Sequence, residues 1–93
     1  MMKKIIQRTR RFEKSFVKLN EKTRKLFIKK LSKFIDDELD SSLNTHRLKG
    51  KRKNEFSFSV TGDIRAIYQK EIRKDVETII FTFVDIGTHN RVY

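Results

Sequence analysis

Apolar and polar residues alternate over positions 56–69 more regularly than anywhere else in the chain. Phe56, Phe58 and Val60 are spaced by Ser57 and Ser59, and Ile64, Ala66 and Tyr68 are spaced by Arg65 and Ile67. A period of two is that of a half-buried strand. With Thr61-Gly62-Asp63 between the two runs, the pattern predicts a β-hairpin. A three-residue loop pairs Val60 with Ile64, Phe58 with Ala66 and Phe56 with Tyr68, all on one face. A two-residue loop would carry Arg65 onto that apolar face. A slip of one residue turns every side chain over, so the longer loop is preferred, with Gly62 taking positive φ. Arg65 is then expected on the opposite face, beside the small polar Ser57 and Ser59.

The remaining pattern surrounds this hairpin. Lys3–Arg8, β-branched at its centre, predicts a first strand. Thr9 is placed to cap a helix on which Phe12, Phe16 and Leu19 share one face. Asn20 offers a second N-cap, with Glu21 in the first turn where the helix dipole favours an acid. The helix it opens is expected to run to about Leu39, with Leu26, Leu31, Phe34 and Ile35 inward and Phe27 or Ile28 flanking. So tight a connection makes an antiparallel helix hairpin. Asp36, Asp37, Glu38 and Asp40 are read as ending this helix and hydrating the loop beyond it, since no other ligand-type residue stands at a metal-site spacing to them. Residues 41–54 lack periodicity and read as loop. Val76–Val84 is apolar on both faces, as an interior strand must be, and Asp85-Ile86-Gly87 is read as turning the chain into its tail. The fold class is therefore α+β in one domain over 1–93. An N-terminal strand and a helix hairpin precede a three-stranded antiparallel meander, with the helices on one face of a four-stranded sheet.

Charge changes the picture most. There are 23 Lys and Arg against 12 Asp and Glu, a formal net charge of +11. Such an excess on 93 residues favours a polyanionic partner, nucleic acid above all. An acidic protein partner fits the same charge. Eight Phe within a 37% hydrophobic chain argue for a folded core and against disorder. The absence of cysteine excludes a disulfide framework and thiolate metal sites, as in a reducing cytosol. Neither a secretory leader nor a membrane span is expected, because no apolar run is long enough.

No phosphate loop, dinucleotide fingerprint or nucleophile elbow is present, and two histidines do not make a zinc site alone. His46, Asp63, Arg65, His89 and Tyr93 remain, with cations at Lys49, Lys51, Arg52, Lys53 and Arg91. Each of these alone is more often surface or packing than chemistry. Together they suit phosphodiester cleavage in RNA, which needs a base for the 2′-hydroxyl, an acid for the departing 5′-oxygen and a cation for the charge building on phosphorus. Histidine suits the first two tasks and a fixed guanidinium the third. Tyr93 can stack on a base or relay a proton.

Three motifs in order then point to a family. His-x-Leu-x-Gly at 46–50, Phe-x-Val-x-Gly-Asp-x-Arg-x-Ile-Tyr at 58–68 and Asp-Ile-Gly-Thr-His-x-x-Val-Tyr at 85–93 resemble the RelE/ParE superfamily of bacterial type II toxins, most of all its RelE-like and YafQ-like mRNA interferases. The resemblance implies a cytoplasmic, metal-independent endoribonuclease without cofactor that cuts mRNA in the ribosomal A site. It implies neutralisation by a cognate acidic antitoxin wrapped around the toxin. It also places His46, Asp63, Arg65, His89 and Tyr93 where such toxins keep functional residues. YafQ-like members often carry a further histidine in the second strand and an aromatic after the aspartate, where this chain has Ser59 and Ile64. The division of acid and base between His46 and His89 stays open. Two rivals stand beside the nuclease: a ParE-like gyrase poison of the same fold, and a non-catalytic nucleic-acid-binding module, for which the charge alone would suffice.

Overall fold

The computed structural model describes residues 2–52 and 54–92, for Lys51 and Arg91 the backbone alone. The elements are β1 (Lys3–Arg8), α1 (Arg10–Val17), α2 (Glu21–Asp36), β2 (His46–Arg47), β3 (Glu55–Ser59), β4 (Ile64–Arg73), β5 (Thr78–Thr88) and α3 (His89–Val92). The strands form one sheet in the order β1-β5-β4-β3-β2. β1 runs parallel to β5, and every other pairing is antiparallel. The architecture is the expected α+β one, with two corrections. The sheet has five strands rather than four, because His46 and Arg47 pair with Ser57 and Phe56 instead of lying in a loop. Nor does the chain turn at residues 85–87, since β5 continues to Thr88.

Both helix starts use the caps legible in the sequence. The Thr9 hydroxyl accepts the Phe12 N–H at 3.1 Å, and the Asn20 side chain accepts the Thr23 N–H at 2.8 Å, satisfying donors that the first helical turn leaves orphaned. α2 is turned slightly from its expected face. Phe27 and Phe34 are the buried residues, whereas Ile35 is partly exposed. It also ends earlier than expected, and Glu38 beyond it is no mere hydrated stop. Its carboxylate accepts the Tyr68 phenol at 2.7 Å and the Lys70 ammonium at 3.0 Å. Leu43, in the stretch expected to be loop, is fully buried.

The core is aromatic. Phe34 has no exposure, and its ring centroid lies 4.8 Å from Phe81, 4.9 Å from Tyr68, 5.3 Å from Phe58 and 5.6 Å from Phe83. Tilted and edge-on rings at such separations add to the area they bury. The β3–β4 register is the expected one: Phe56 faces Tyr68, Phe58 faces Ala66, and the Val60 N–H donates to the Ile64 carbonyl at 2.8 Å. Gly62, however, does not take positive φ; among the described glycines Gly50 does, at 71°. The loop is held instead by the Thr61 hydroxyl, which accepts the N–H groups of Asp63 at 3.2 Å and Ile64 at 3.0 Å, a side chain standing in for a backbone turn partner.

Two measurements probe this packing. Phe34→Ala should cost about 3–5 kcal/mol, whereas Ile35→Ala one position on should cost no more than about 1 kcal/mol, as chemical denaturation will show. Burial first, and the Glu38 carboxylate second, push the Tyr68 phenol up from its ordinary 10.0. Its contribution is therefore whole below pH 10 and lost only as pH rises toward the folded value. Ultraviolet titration should show Tyr68 phenolate appearing together with alkaline unfolding and not before it.

Candidate functional site

The face of the sheet away from α1 and α2 carries the candidate chemistry, and cross-strand pairing lays it out in rows. Residues directly opposite on paired strands share a face. One row runs His46, Ser57, Ile67, and the next runs Ser59, Arg65, Gly87. Arg65 therefore lies opposite the aromatic core, as expected. Its Nε donates to Ser57 Oγ at 3.1 Å, Nη1 to Ser59 Oγ at 2.7 Å and Nη2 to the Asn44 carbonyl at 2.9 Å. Among the described residues these contacts engage three of the five N–H donors of a guanidinium and leave two for an anion. Serines are short enough to seat the cation without covering it, and Gly87 places no side chain against it from β5.

Asn44 was not legible as a site residue. It sits at φ 52° and ψ 49° after a short 3₁₀ turn, a conformation that Asn adopts more readily than most L-residues because its side chain bonds locally. The turn is opened by Asp40, which accepts the Ser42 N–H at 2.9 Å and the Ser42 hydroxyl at 2.6 Å. Those bonds hold the Asp40 carboxyl below its usual range. The acidic cluster thus serves the site indirectly, by aiming a carbonyl at Arg65.

His46 is exposed at the start of the edge strand, in the row of Ser57 and one row from Arg65. Its neighbour Arg47 projects to the other face, over the Phe56 ring at 5.9 Å. His89 opens α3, exposed, with its N–H donating to the Asp63 carbonyl at 3.2 Å. That bond ties the β3–β4 loop to the end of β5, so Asp63 and His89 are neighbours through their backbones. α3 then packs back over β4 and β5. Val92 within it is buried, as is Ile67 of β4.

The cationic stretch divides. Lys49 is exposed. Arg52 is committed to the fold: Nε pairs with Glu55 at 2.6 Å and Nη1 donates to the Val92 carbonyl. The expectations for Lys53 and Tyr93, and for the side chains of Lys51 and Arg91, lie outside the described residues. The structure thus sets His46 and Arg65 in adjacent rows of the sheet and joins Asp63 to His89 through their backbones at the end nearer Arg65.

The same arrangement of strands and helices occurs in solved structures. YafQ from Escherichia coli strain BL21(DE3) superposes with a TM-score of 0.75 at 20% identity, over 98% of this chain and 99% of that one. The E. coli DinJ–YafQ toxin–antitoxin complex matches at 0.72 and 21% identity, over 99% of both chains. The archaeal RelE–RelB complex from Pyrococcus horikoshii OT3 matches at 0.67 and 14%, over 97% and 99%. No protein-family model matches the chain, and no curated protein is similar to it in sequence. At these identities the likeness establishes the fold, which is that of the RelE and YafQ toxins. The resemblance carried by the three motifs and the likeness in three dimensions agree.

Asn44 offers a direct test of how Arg65 is seated. Asn44→Ala should cost about 1–2 kcal/mol, the strain of a left-handed conformation on an ordinary residue, whereas Asn44→Gly should be close to neutral because glycine adopts that region freely. Urea unfolding of the two variants reads the difference.

Proposed function

We propose that the chain is a toxin of a bacterial type II toxin–antitoxin system, of the RelE/ParE superfamily, and that it acts in the cytoplasm as an endoribonuclease on mRNA held by the ribosome, without metal or cofactor. The observation that carries this reading is the seat of Arg65, a guanidinium fixed on a polar face with donors to spare, one row from His46. In the proposed reaction the 2′-oxygen of the RNA attacks phosphorus and the bond to the 5′-oxygen breaks. One histidine takes the 2′-hydroxyl proton and the other supplies a proton to the leaving oxygen. Arg65 meets the charge that grows on the phosphoryl oxygens, where a fixed donor acts most strongly on the transition state. Asp63 holds the loop against His89, and Tyr93 is assigned to stacking on a base.

An antitoxin partner is supported by the DinJ–YafQ toxin–antitoxin complex among the similar structures and by a net charge of +11, which suits an acidic segment. A surface away from Arg65 fits such a segment. A cleft of about 480 Å³ is lined by Ile6, Phe16, Val17, Ile28 and Leu31, and Val17 and Ile28 are 69% and 57% exposed. An amphipathic acidic helix of the antitoxin can bury its apolar side there.

Induction of the chain in bacteria, with mapping of mRNA ends, tests the activity. His89→Gln should lower cleavage by about 10²–10⁴-fold while leaving RNA affinity nearly intact. Arg65→Ala should be similarly harmful, and His46→Ala less so. Growth arrest that survives both His89→Gln and Arg65→Ala with mRNA ends unchanged would promote the gyrase reading, which altered DNA supercoiling would then identify. Substituting Lys49, Lys51 and Lys53 together by Gln should flatten the dependence of binding on salt, by about 0.7 in log–log slope for each phosphate no longer neutralised. Arg52→Gln should instead loosen the C-terminal turn. Placing aspartate at both Val17 and Ile28 should abolish neutralisation by the antitoxin while cleavage persists.

A further inference from the structure

β5 contains an extra residue relative to β4. Ile67 faces Asp85 but the next residue, Tyr68, faces Phe83, so Val84 stands opposite no residue of β4. This is a β-bulge, and a bulge changes which face the side chains beyond it occupy. Before it, Phe81 and Phe83 point into the core; after it, Ile86 does. Without the extra residue, alternation from Phe83 would send Ile86 outward and bring position 87 onto the core face. The bulge is therefore what returns Ile86 to the core and sets Gly87 opposite Arg65, and it fixes where β5 hands over to α3 at His89.

The groups that close the bulge are specific. The Ile86 N–H and the Ser15 hydroxyl both donate to Asp85 Oδ1, at 2.9 and 2.8 Å. The Arg11 Nε stands 3.2 Å from Oδ2. On the other side, Thr9 donates its N–H to the Phe83 carbonyl at 2.9 Å and its hydroxyl to the Val84 carbonyl at 3.1 Å. Asp85 is almost wholly buried, and its Oδ2 lacks a hydrogen bond of good geometry among the described residues. A buried carboxylate on an interior strand is costly unless it is paired. A core residue of the same size would remove the one oxygen that accepts from both the Ile86 N–H and the Ser15 hydroxyl, and with it the link between the bulge and α1.

We infer that Asp85 is a positioning residue: with Thr9, Arg11 and Ser15 of the first helix and its cap it locks the β5 bulge, and through it the placement of His89 and of Gly87 opposite Arg65. Its catalytic consequence rests on the nuclease reading above, but its structural consequence does not.

The test uses the full chain and two readouts. Amide and imidazole NMR signals are recorded for Ser15→Ala, Asp85→Ala and Asp85→Asn, and cleavage of an mRNA bound to ribosomes is measured for the same proteins as kcat and KM. In Asp85→Ala, signals of residues 61–65 and 86–89 should move while those of the distal β3–β4 pairs stay, and kcat should fall by roughly 10²-fold, the effect of a displaced catalytic group, with KM little changed. Asp85→Asn keeps an oxygen for the Ile86 N–H and should restore most of both. Ser15→Ala deletes one donor only, so it should reproduce the shifts in smaller size, and it decides the matter if Asp85→Ala does not fold. Unmoved signals in 86–89 for Ser15→Ala and Asp85→Ala overturn the inference whatever the RNA does. So does an Asp85→Asn protein whose signals in 86–89 are displaced as far as in Asp85→Ala, since the retained oxygen would then not be what supports the bulge. If the shifts occur but the unaltered chain cuts no RNA, the nuclease reading fails and the clamp stands.

Discussion

Alternation along β3 and β4 is the constraint on which the rest of the molecule depends. Phe56, Phe58, Ala66 and Tyr68 fill the interior because Val60 and Ile64 close a three-residue loop, and the same parity turns Ser57, Ser59 and Arg65 outward. A slip by one residue would drive the guanidinium into a ring of phenylalanines, at the cost of an unpaired buried charge. Core and site therefore cannot be specified separately. Each apolar side chain that commits to the interior fixes one polar neighbour on the other face.

The two faces bear different duties. Toward α1 and α2 the sheet is closed by aromatic packing around Phe34, with the polar edge tied off by Glu38 to Tyr68 and Lys70. Toward Arg65 the surface is shallow, built from serines and backbone carbonyls, and only partly covered by α3. Rigidity under the candidate site comes from the aromatic side, an arrangement that lets the polar face stay open without becoming mobile.

The hairpin, both N-caps and the position of Arg65 were legible because each rests on local rules: a period of two, a capping hydroxyl or amide, and parity. The features that escaped were non-local. His46–Arg47 is too short for any period, and becomes a strand only because β3 offers an edge. The bulge leaves no mark in the alternation of Phe81 and Phe83; the one clue was an aspartate amid apolar neighbours, Val84-Asp85-Ile86. Phe27 replaced Ile35 on the inner face of α2 because the helix meets α1, with Phe27 against Phe12 and Phe16, a contact that no periodicity within α2 contains. Arg52 looked like part of a cationic cluster and proved to hold the C-terminal turn. His89 could be assigned to a motif, but its proximity to Asp63 depended on the full length of β5.

The parallel pairing of β1 with β5 has a consequence for how the molecule comes into being. Thr9 meets Val84 across a separation of 75 residues, and β1 finds its sheet partner in the last strand. Contacts so distant in sequence form late, after a large loop has closed. During synthesis the first strand and both helices must wait for β5 before the aromatic core can shut, and His89 reaches the Asp63 loop only afterwards. Assembly of the site is thereby tied to completion of β5, and translation products cut short before that strand should be inert as well as unfolded.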